Sequence, residues 1–264
     1  MSIITISRGS YTRGKEVAEK LAQTLGYQCL SRDILLEASE LYNIPEIKLV
    51  RAIHDAPSIL ERFTYSREPY VAYIRAALLH QVQKDNVVYH GLAGHFLLKG
   101  VPHVLKVRII ADLEDRVKEE MKRENISAEE ARRILRKDDD ERRKWSKHVY
   151  GIDTWDPSLY DLVINIMRIT VDGAVDIIKC ALKDPCFQTT PEGQKLVDEM
   201  SLAARIEAAL IEDIPSIQVE AKEAEVFIYL KRDLCKDKEL ISRIKRLASK
   251  VAGSDIKINC LRRS

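Results

Sequence analysis

Short runs of β-branched and other apolar residues alternate with longer stretches of helical spacing through the first two thirds of the chain. The first run, residues 3–6, is followed by apolar positions at helical spacing from Val17 to Leu25. Further runs that read as strands cover residues 27–30, 86–90, 104–110 and 162–166. Strands that alternate with helices predict an α/β fold, in which a parallel five-stranded sheet is flanked by helices.

The pattern changes in the last third of the chain. Pro185, Pro191 and Gly193 interrupt it, and they predict a linker over residues 184–194. A helix, two strands, a second helix and a last strand follow, over residues 195–211, 216–221, 225–230, 236–251 and 256–261. We therefore expect residues 1–183 to form the α/β domain and residues 195–264 to form a small α+β domain. A domain of about 70 residues is large enough to fold alone.

A glycine-rich motif lies between the first predicted strand and the first predicted helix. Gly9, Gly14 and Lys15 have the spacing of a phosphate-binding loop, whose N–H groups curl around a polyphosphate while the lysine reaches the β and γ phosphates. A strand-to-helix turn without a ligand is the alternative interpretation. The first interpretation assigns nucleotide binding to the whole loop, which consists of Gly9, Ser10, Tyr11, Thr12, Arg13, Gly14, Lys15 and Glu16.

Glu16 departs from the general motif. It stands where a serine or threonine hydroxyl usually holds Mg²⁺. A carboxylate is a good ligand for a hard cation, but it adds negative charge beside a triphosphate. We therefore expect Glu16 to bind the metal, with pairing to Lys15 or Arg13 as the alternative.

Composition excludes several other classes of protein. The 43 basic and 41 acidic residues leave a net charge of +2, so no global charge favours binding to nucleic acid or membranes. No stretch approaches the roughly 20 apolar residues of a membrane span, and the N-terminus does not resemble a signal peptide, so we expect a cytoplasmic protein. The cysteines are odd in number and lack close paired spacing, which predicts buried or idle thiols rather than disulfides or a zinc site. They are Cys29, Cys180, Cys186, Cys235 and Cys260.

Charge is concentrated locally in one segment. A helix is predicted to begin at Asp112, and Ser127 with Glu130 has the spacing of a capping box that starts a second helix. Residues 132–147 of this second helix carry a dense mixture of basic and acidic side chains. Most such runs are solvated helix faces.

The first 180 residues resemble the cytidylate kinase-like group of P-loop nucleoside monophosphate kinases. In this family a glutamate after the loop lysine is common, as at Glu16. The resemblance implies a P-loop kinase fold, ATP and Mg²⁺ as cofactors, and phosphoryl transfer to a nucleoside monophosphate, with CMP or dCMP as the acceptor. It rests on ITISR at 4–8, GKEVA at 14–18, LKVRIIA at 105–111, EDR at 114–116, DDER at 139–142 and YDLVIN at 160–165.

The same resemblance implies roles for residues outside the loop. In these kinases the segment between the fourth and fifth strands is a mobile lid, which closes over the reaction and excludes water. Arg136 and Arg142 would join Lys15 in stabilising the transferred charge, and Arg116 would bind ATP. Asp139 and Arg142 have the Asp-x-x-Arg spacing that contacts the acceptor, although an exposed ion pair on a helix is the alternative.

Two positions depart from the family pattern. The usual aspartate after the second strand is replaced by Ser31, and Arg32 and Asp33, which follow it, are the expected acceptor contacts. The usual Gly-Arg-Gly stretch after the third strand is replaced by His90, Gly91 and Leu92. These departures keep open a second hypothesis, in which the protein senses a nucleotide without turnover. Kinase chemistry on another small acceptor is a third.

The remaining features receive structural interpretations. Residues 32–84 correspond to the acceptor-binding insertion of such kinases, and His95 and His103 are expected to be structural. The C-terminal residues 195–264 resemble a BON domain, without the glycine that such domains usually carry between their paired strands. This module is expected to bind a small ligand, to mediate oligomerisation or only to pack.

Overall fold

A parallel sheet forms the centre of the first part of the chain. The computed structural model describes residues 2–9, 13–31, 33–46, 49, 68–91, 93–215, 217–230, 234–253 and 257–262. Within these residues, five strands pair in the order β2-β3-β1-β4-β5, and every neighbouring pair is parallel. The strands are β1 (Ile3–Arg8), β2 (Gln28–Leu30), β3 (Val87–Tyr89), β4 (Val104–Ile110) and β5 (Leu162–Asn165). The predicted α/β fold with a parallel five-stranded sheet is confirmed.

Helices connect these strands as the periodicity predicts. Gly26, with a φ of 66°, ends the first helix in the left-handed conformation that glycine adopts without strain. The helices that follow the sheet strands are α1 (Gly14–Leu25), α2 (Asp33–Tyr42), α3 (Glu68–Val82), α4 (Gly94–Leu97), α5 (Leu113–Glu124), α6 (Ala128–Tyr150) and α7 (Val171–Ala181).

One face of the sheet is covered by α1 and α7. Ile6 and Ile109 lie in neighbouring strands and are at most 1% exposed, and Leu21 of α1 and Ile178 of α7 pack in the same cluster. Because both faces of a parallel sheet are usually covered, its strands are nearly continuous apolar runs. This is why β1 and β4 are recognisable from the sequence.

The contacts divide the chain into two compact units. The first contains the parallel sheet, with described residues between 2 and 33 and between 84 and 190. The second joins described residues between 34 and 49 and between 68 and 83 to the C-terminal part from Pro191 onward. The predicted domain boundaries remain a prediction, but this grouping of an early segment with the C-terminal part is not indicated by the sequence.

In the second unit, α3 packs along α8 (Pro191–Leu210). Ser201 Oγ donates to Gln83 Oε1 at 2.7 Å, and the Tyr73 hydroxyl donates to Glu212 Oε1 at 2.9 Å. These polar contacts join segments that are more than a hundred residues apart in the chain.

The C-terminal part adds a small sheet of its own. Strands β6 (Gln218–Lys222) and β7 (Glu225–Leu230) are antiparallel, and β7 is parallel to β8 (Lys257–Arg262). Helix α9 (Lys238–Ala252) forms the crossover between β7 and β8. The predicted order of helix, two strands, helix and strand is therefore present, while the BON resemblance stays a prediction.

Candidate functional site

The glycine-rich motif connects β1 to α1. Gly9 follows the last residue of β1, Arg13 has a φ of 57°, and α1 begins at Gly14. A Cβ atom on Gly14 would lie 2.7 Å from Arg8 Cβ, a distance that real Cβ contacts do not reach. The loop therefore returns so closely to its own strand that only glycine fits at position 14.

The charged residues of the loop form ion pairs on the surface. Arg13 donates to both carboxylate oxygens of Glu16 at 2.8 Å, and Glu16 raises the pKa of Arg13. Lys15 is 64% exposed, and its Nζ lies 3.5 Å from Glu19 Oε1. The pairing of Glu16 with Arg13 is one of the alternatives that the sequence left open. Ser10, Tyr11 and Thr12, also assigned to nucleotide binding, lie outside the described residues.

The positive charge of Arg8 is partly buried where β1 ends. Arg142 Nη1 donates to the Arg8 carbonyl oxygen at 3.3 Å. Burial, and then the charge of Arg142, lower the pKa of Arg8, while burial and then Arg8 lower the pKa of His90. Arg8 Nε and His90 Nδ1 are buried and have no hydrogen-bond partner among the described residues. Buried polar groups normally have partners, so these atoms fit a site that receives a ligand such as a phosphate anion.

The predicted lid consists of α5 and α6. Val117, Ala131 and Leu135 form a small core between them. Ser127 Oγ accepts a hydrogen bond from the Glu130 N–H at 3.2 Å, which confirms that Ser127 caps α6. The Glu130 carboxylate pairs with Arg133, one turn further along the helix.

Two predicted site residues contact each other across the two lid helices. Arg116 of α5 donates to both carboxylate oxygens of Asp139 of α6, at 2.7 and 3.0 Å. Their side chains are only 8% and 15% exposed, so the pair is largely shielded from water. The sequence assigned Arg116 to ATP and Asp139 to the acceptor, whereas the structure brings them together.

The other predicted site residues are more dispersed. Arg136 is exposed on α6, and Asp33 is exposed in the first turn of α2. Arg32 lies outside the described residues. Arg142 is therefore the predicted lid arginine that donates a hydrogen bond to the end of β1.

A cavity of about 270 Å³ lies at the carboxyl ends of the central strands. Ligands of open parallel sheets bind at this edge. The cavity includes Gly9 of the loop and the Arg116–Asp139 pair. Its described lining residues are Gly9, Arg108, Ile110, Ala111, Arg116, Asp139, Trp155, Pro157 and Val163. Neither Arg108 nor Trp155 was predicted to be a site residue. The charge of Arg108 within the β-branched run of β4 is the sequence feature that could have indicated a role in the site.

A polar network fixes Arg108 beside the start of the loop. Arg108 Nη1 donates to the Tyr160 hydroxyl at 3.2 Å and to the Thr154 carbonyl oxygen at 2.5 Å. The Tyr160 hydroxyl lies 3.3 Å from Ser7 Oγ and 3.4 Å from His95 Nε2. Burial, more than the nearby charge of Arg108, lowers the pKa of His95 to about 3, so this histidine is neutral near pH 7. The network orders the last residues of β1 just before Gly9.

The cysteines were expected to be buried or idle thiols. Cys180 and Cys186 are exposed, while Cys29, Cys235 and Cys260 are half-buried. All are free thiols. Among the described residues, no group of three or more histidine, cysteine, aspartate or glutamate side chains has the arrangement of a metal site. No described helix is both long and apolar enough to cross a membrane.

The chain is similar in sequence to known proteins of one family. The model of the cytidylate kinase-like family matches residues 3–168, more than half of the chain. Cytidylate kinase of Methanopyrus kandleri is 35% identical over 114 residues, which cover 40% of this chain and 58% of that protein. Cytidylate kinase of Thermococcus kodakarensis is 35% identical over 121 residues, covering 46% and 60%. The chain thus spans about three fifths of the length of these curated relatives.

A solved structure shows the same fold at low identity. An uncharacterized protein from Eubacterium ventriosum superposes with a TM-score of 0.53 and 19% identity. The match covers 70% of this chain and 99% of the other.

Proposed function

The chain belongs to the cytidylate kinase-like family, and we propose that it transfers the γ-phosphoryl group of ATP to a nucleoside monophosphate, with CMP or dCMP as the acceptor. The observation that carries the proposal is the partly buried positive charge of Arg8 at the end of β1. Arg8 Nε and His90 Nδ1 lack partners there among the described residues, next to the position where Gly14 leaves no room for a side chain. A polyphosphate would supply the missing acceptor for Arg8 and would be drawn by the positive charges around it.

Phosphoryl transfer needs positioned cations more than covalent chemistry, because negative charge spreads over the phosphate oxygens in the transition state. We assign Lys15 to the β and γ phosphates, and Arg136 and Arg142 to the charge that develops during transfer. Arg142 is already within hydrogen-bond distance of the end of β1. Arg136 is exposed and would approach only when the lid closes.

The cofactors in this proposal are ATP and Mg²⁺, which supply the transferable group and the divalent charge that offsets it. Glu16 is the proposed metal contact, directly or through water, and its carboxylate would have to give up its present pairing with Arg13. Arg116 would then bind the donor, and the acceptor would be held by Asp33, Asp139 and Arg142, together with Arg32.

Other parts of the proposal concern the protein as a whole. We place it in the cytoplasm, with nucleotides as its small-molecule partners. For the C-terminal sheet we propose a BON-like role in binding a small ligand or in oligomerisation. Its shared unit with α2 and α3 supports a connection to the insertion that would hold the acceptor.

The test is release of ADP from magnesium-ATP in the presence of CMP, dCMP, UMP, AMP or GMP. We expect CMP or dCMP to stimulate release in the wild type, and Lys15→Ala to reduce it by about 100-fold or more, since one stabilising donor is worth this much in related chemistry. Lys20→Ala is the matched control, because Lys20 lies on the same helix and pairs on the surface with Asp172. Equal loss in both variants would contradict the role of Lys15.

The second candidate function is nucleotide sensing without turnover. It is favoured by the ion pair between Arg116 and Asp139, which engages two proposed site residues with each other. In that case no acceptor would stimulate ADP release, although ATP would still raise the melting temperature. The same acceptor panel therefore decides between the two functions.

A further inference from the structure

Trp155 is an exposed aromatic residue on the wall of the cavity. It is 52% exposed, and Val163, which lines the same cavity, is 44% exposed. Pro157 also contributes to this wall. Single exposed apolar residues are common, but exposed apolar side chains grouped around a concave site are typical of ligand binding.

The tryptophan is held in place by charged neighbours. The Arg143 guanidinium lies over the ring, with Cζ 4.5 Å from the ring centroid. Arg143 in turn donates to both carboxylate oxygens of Asp153, at 3.1 and 2.6 Å. Asp153 Oδ1 accepts from the Trp155 backbone N–H at 3.0 Å. A cation over the face of an indole is attracted by the ring quadrupole, so these contacts fix the orientation of Trp155.

Arg143 leaves part of the ring free to receive another group. Trp155 is 52% exposed although Arg143 lies over its ring, and it lines the cavity. Part of the tryptophan side chain is therefore accessible to a ligand, and the contacts with Arg143 and Asp153 fix its orientation before any ligand arrives.

The rest of the cavity supplies polar groups for the edge of a flat ring. Arg108, Arg116 and Asp139 line it together with the main chain near Gly9. Its volume of about 270 Å³ lies near the lower limit of small-molecule sites, which suits one heterocycle better than a whole nucleotide. An apolar plane combined with donors and an acceptor is the arrangement that binds a nucleobase by stacking and hydrogen bonds.

We propose that Trp155 is the stacking wall for the base of a bound nucleotide, with Arg143 and Asp153 as its positioning residues. The inference rests on the proposed function in that the ligand is a nucleotide. The base would come from the donor or from the acceptor, and both present the same flat heteroaromatic surface. Separate titrations with CMP and ADP distinguish the acceptor base from the donor base.

The first test uses the fluorescence of Trp155 itself. The chain has two tryptophans, so Trp145→Phe leaves Trp155 as the sole reporter. This variant is titrated separately with CMP, ADP and ribose 5-phosphate. We expect saturable quenching by CMP or by ADP, which identifies the acceptor base or the donor base, and no quenching by ribose 5-phosphate, which carries sugar and phosphate without a base. Equal quenching by all three, or by none, would overturn the inference.

The second test measures affinity without relying on turnover. Calorimetric titration with the ligand that quenches should give about 10- to 100-fold weaker binding for Trp155→Ala. Trp155→Phe should retain most of the affinity, and Trp155→Leu, which keeps apolar bulk without an aromatic plane, should not. Circular dichroism verifies the fold of each variant. Unchanged binding by Trp155→Leu would contradict stacking even if Trp155→Ala failed to fold.

The positioning residues call for a different readout. Arg143→Gln removes the cation over the ring, and we expect it to change the emission maximum of Trp155 and the depth of quenching. A role of Arg143 in helix stability alone would leave both signals unchanged.

The two proposals fail in distinguishable ways. If Trp155 responds to a base but no acceptor is phosphorylated, kinase activity is excluded while the stacking wall stands. If an acceptor is phosphorylated with the same KM for both nucleotides in Trp155→Ala, the kinase stands and the stacking wall is excluded.

Discussion

Arg116 and Asp139 form a bidentate ion pair that joins α5 to α6, with N–O distances of 2.7 and 3.0 Å. Both side chains are largely withdrawn from water. Such a pair stabilises little relative to an apolar replacement, but the loss of one partner leaves the other charge poorly compensated. The contact therefore holds the two helices of the proposed lid in one register.

Removing one partner of this ion pair should destabilise the protein. We expect Asp139→Ala to lower the free energy of unfolding by about 3 kcal/mol, measured by urea denaturation. The matched control is Arg132→Ala. Arg132 of α6 forms a bidentate ion pair with Glu114 of α5, but this pair is exposed. Exposed pairs contribute little, so this variant should unfold at nearly the same urea concentration as the wild type. Similar losses in both variants would show that burial is not the deciding factor.

Gly14→Ala should push the start of α1 away from the end of β1. Its Cβ would meet Arg8 Cβ at 2.7 Å, and Arg8 Cβ cannot move without its backbone. We expect a loss of about 1–3 kcal/mol in stability, together with weaker binding of ATP. Gly173→Ala is the control, since its Cβ would make only ordinary contacts at 3.4 Å and alanine favours a helix. Thermal denaturation with and without ATP measures both effects. An unchanged melting temperature in Gly14→Ala would contradict the close approach, and an unchanged shift on addition of ATP would contradict the weaker binding.

His95 should make the protein sensitive to acid. Burial lowers the pKa of His95 from 6.5 to about 3. Between these two pH values the histidine is protonated in the unfolded chain and neutral in the folded protein. The contribution of His95 to stability is therefore lost as the pH falls from 6.5 towards 3, at a rate of at most about 1.4 kcal/mol per pH unit. His95→Gln should show a shallower decline between pH 6.5 and pH 4 when unfolding is followed by urea denaturation. Parallel declines would mean that His95 titrates normally in the folded protein.

Inorganic tripolyphosphate should stabilise the protein by binding to Arg8 at the end of β1. The anion offers acceptors to Arg8 Nε, which is buried without a partner among the described residues. We expect a saturable rise in melting temperature that falls sharply in Arg8→Met, a variant that keeps most of the side-chain bulk. Arg133→Met is the control, because Arg133 pairs with Glu130 on the exposed face of α6. An equal rise in wild type and Arg8→Met would place anion binding elsewhere.

The sequence predicts those features of the structure that are formed by residues close together in the chain. The apolar run of β1, the glycine spacing and the apolar face of α1 lie within 25 residues, and their arrangement follows from local geometry. The cap at Ser127 is likewise a contact over three residues. Such features carry their signal in residue order alone.

Contacts between segments that are distant in the chain leave no pattern in the sequence from which they could be predicted. Arg116 and Asp139 were assigned to different ligands because each matched a family position, yet they lie on facing turns of two helices. Trp155 stands in a loop without periodicity, and only the fold places it beside the cavity. Arg108 could have been noticed, since a charge within the apolar run of β4 is costly unless it is partnered or used.

Helix α3 has an unusual composition for its place in the chain. Apart from Arg75, which pairs with Glu207 of α8, the residues from Ala72 to Leu79 are buried, and Ile74, Ala77 and Leu78 are at most 1% exposed. A helix with so wide an apolar surface needs a partner that covers it, and α8 packs along α3. Removal of the residues after 190 would therefore expose apolar side chains of α3 to water, and we expect a chain truncated there to aggregate.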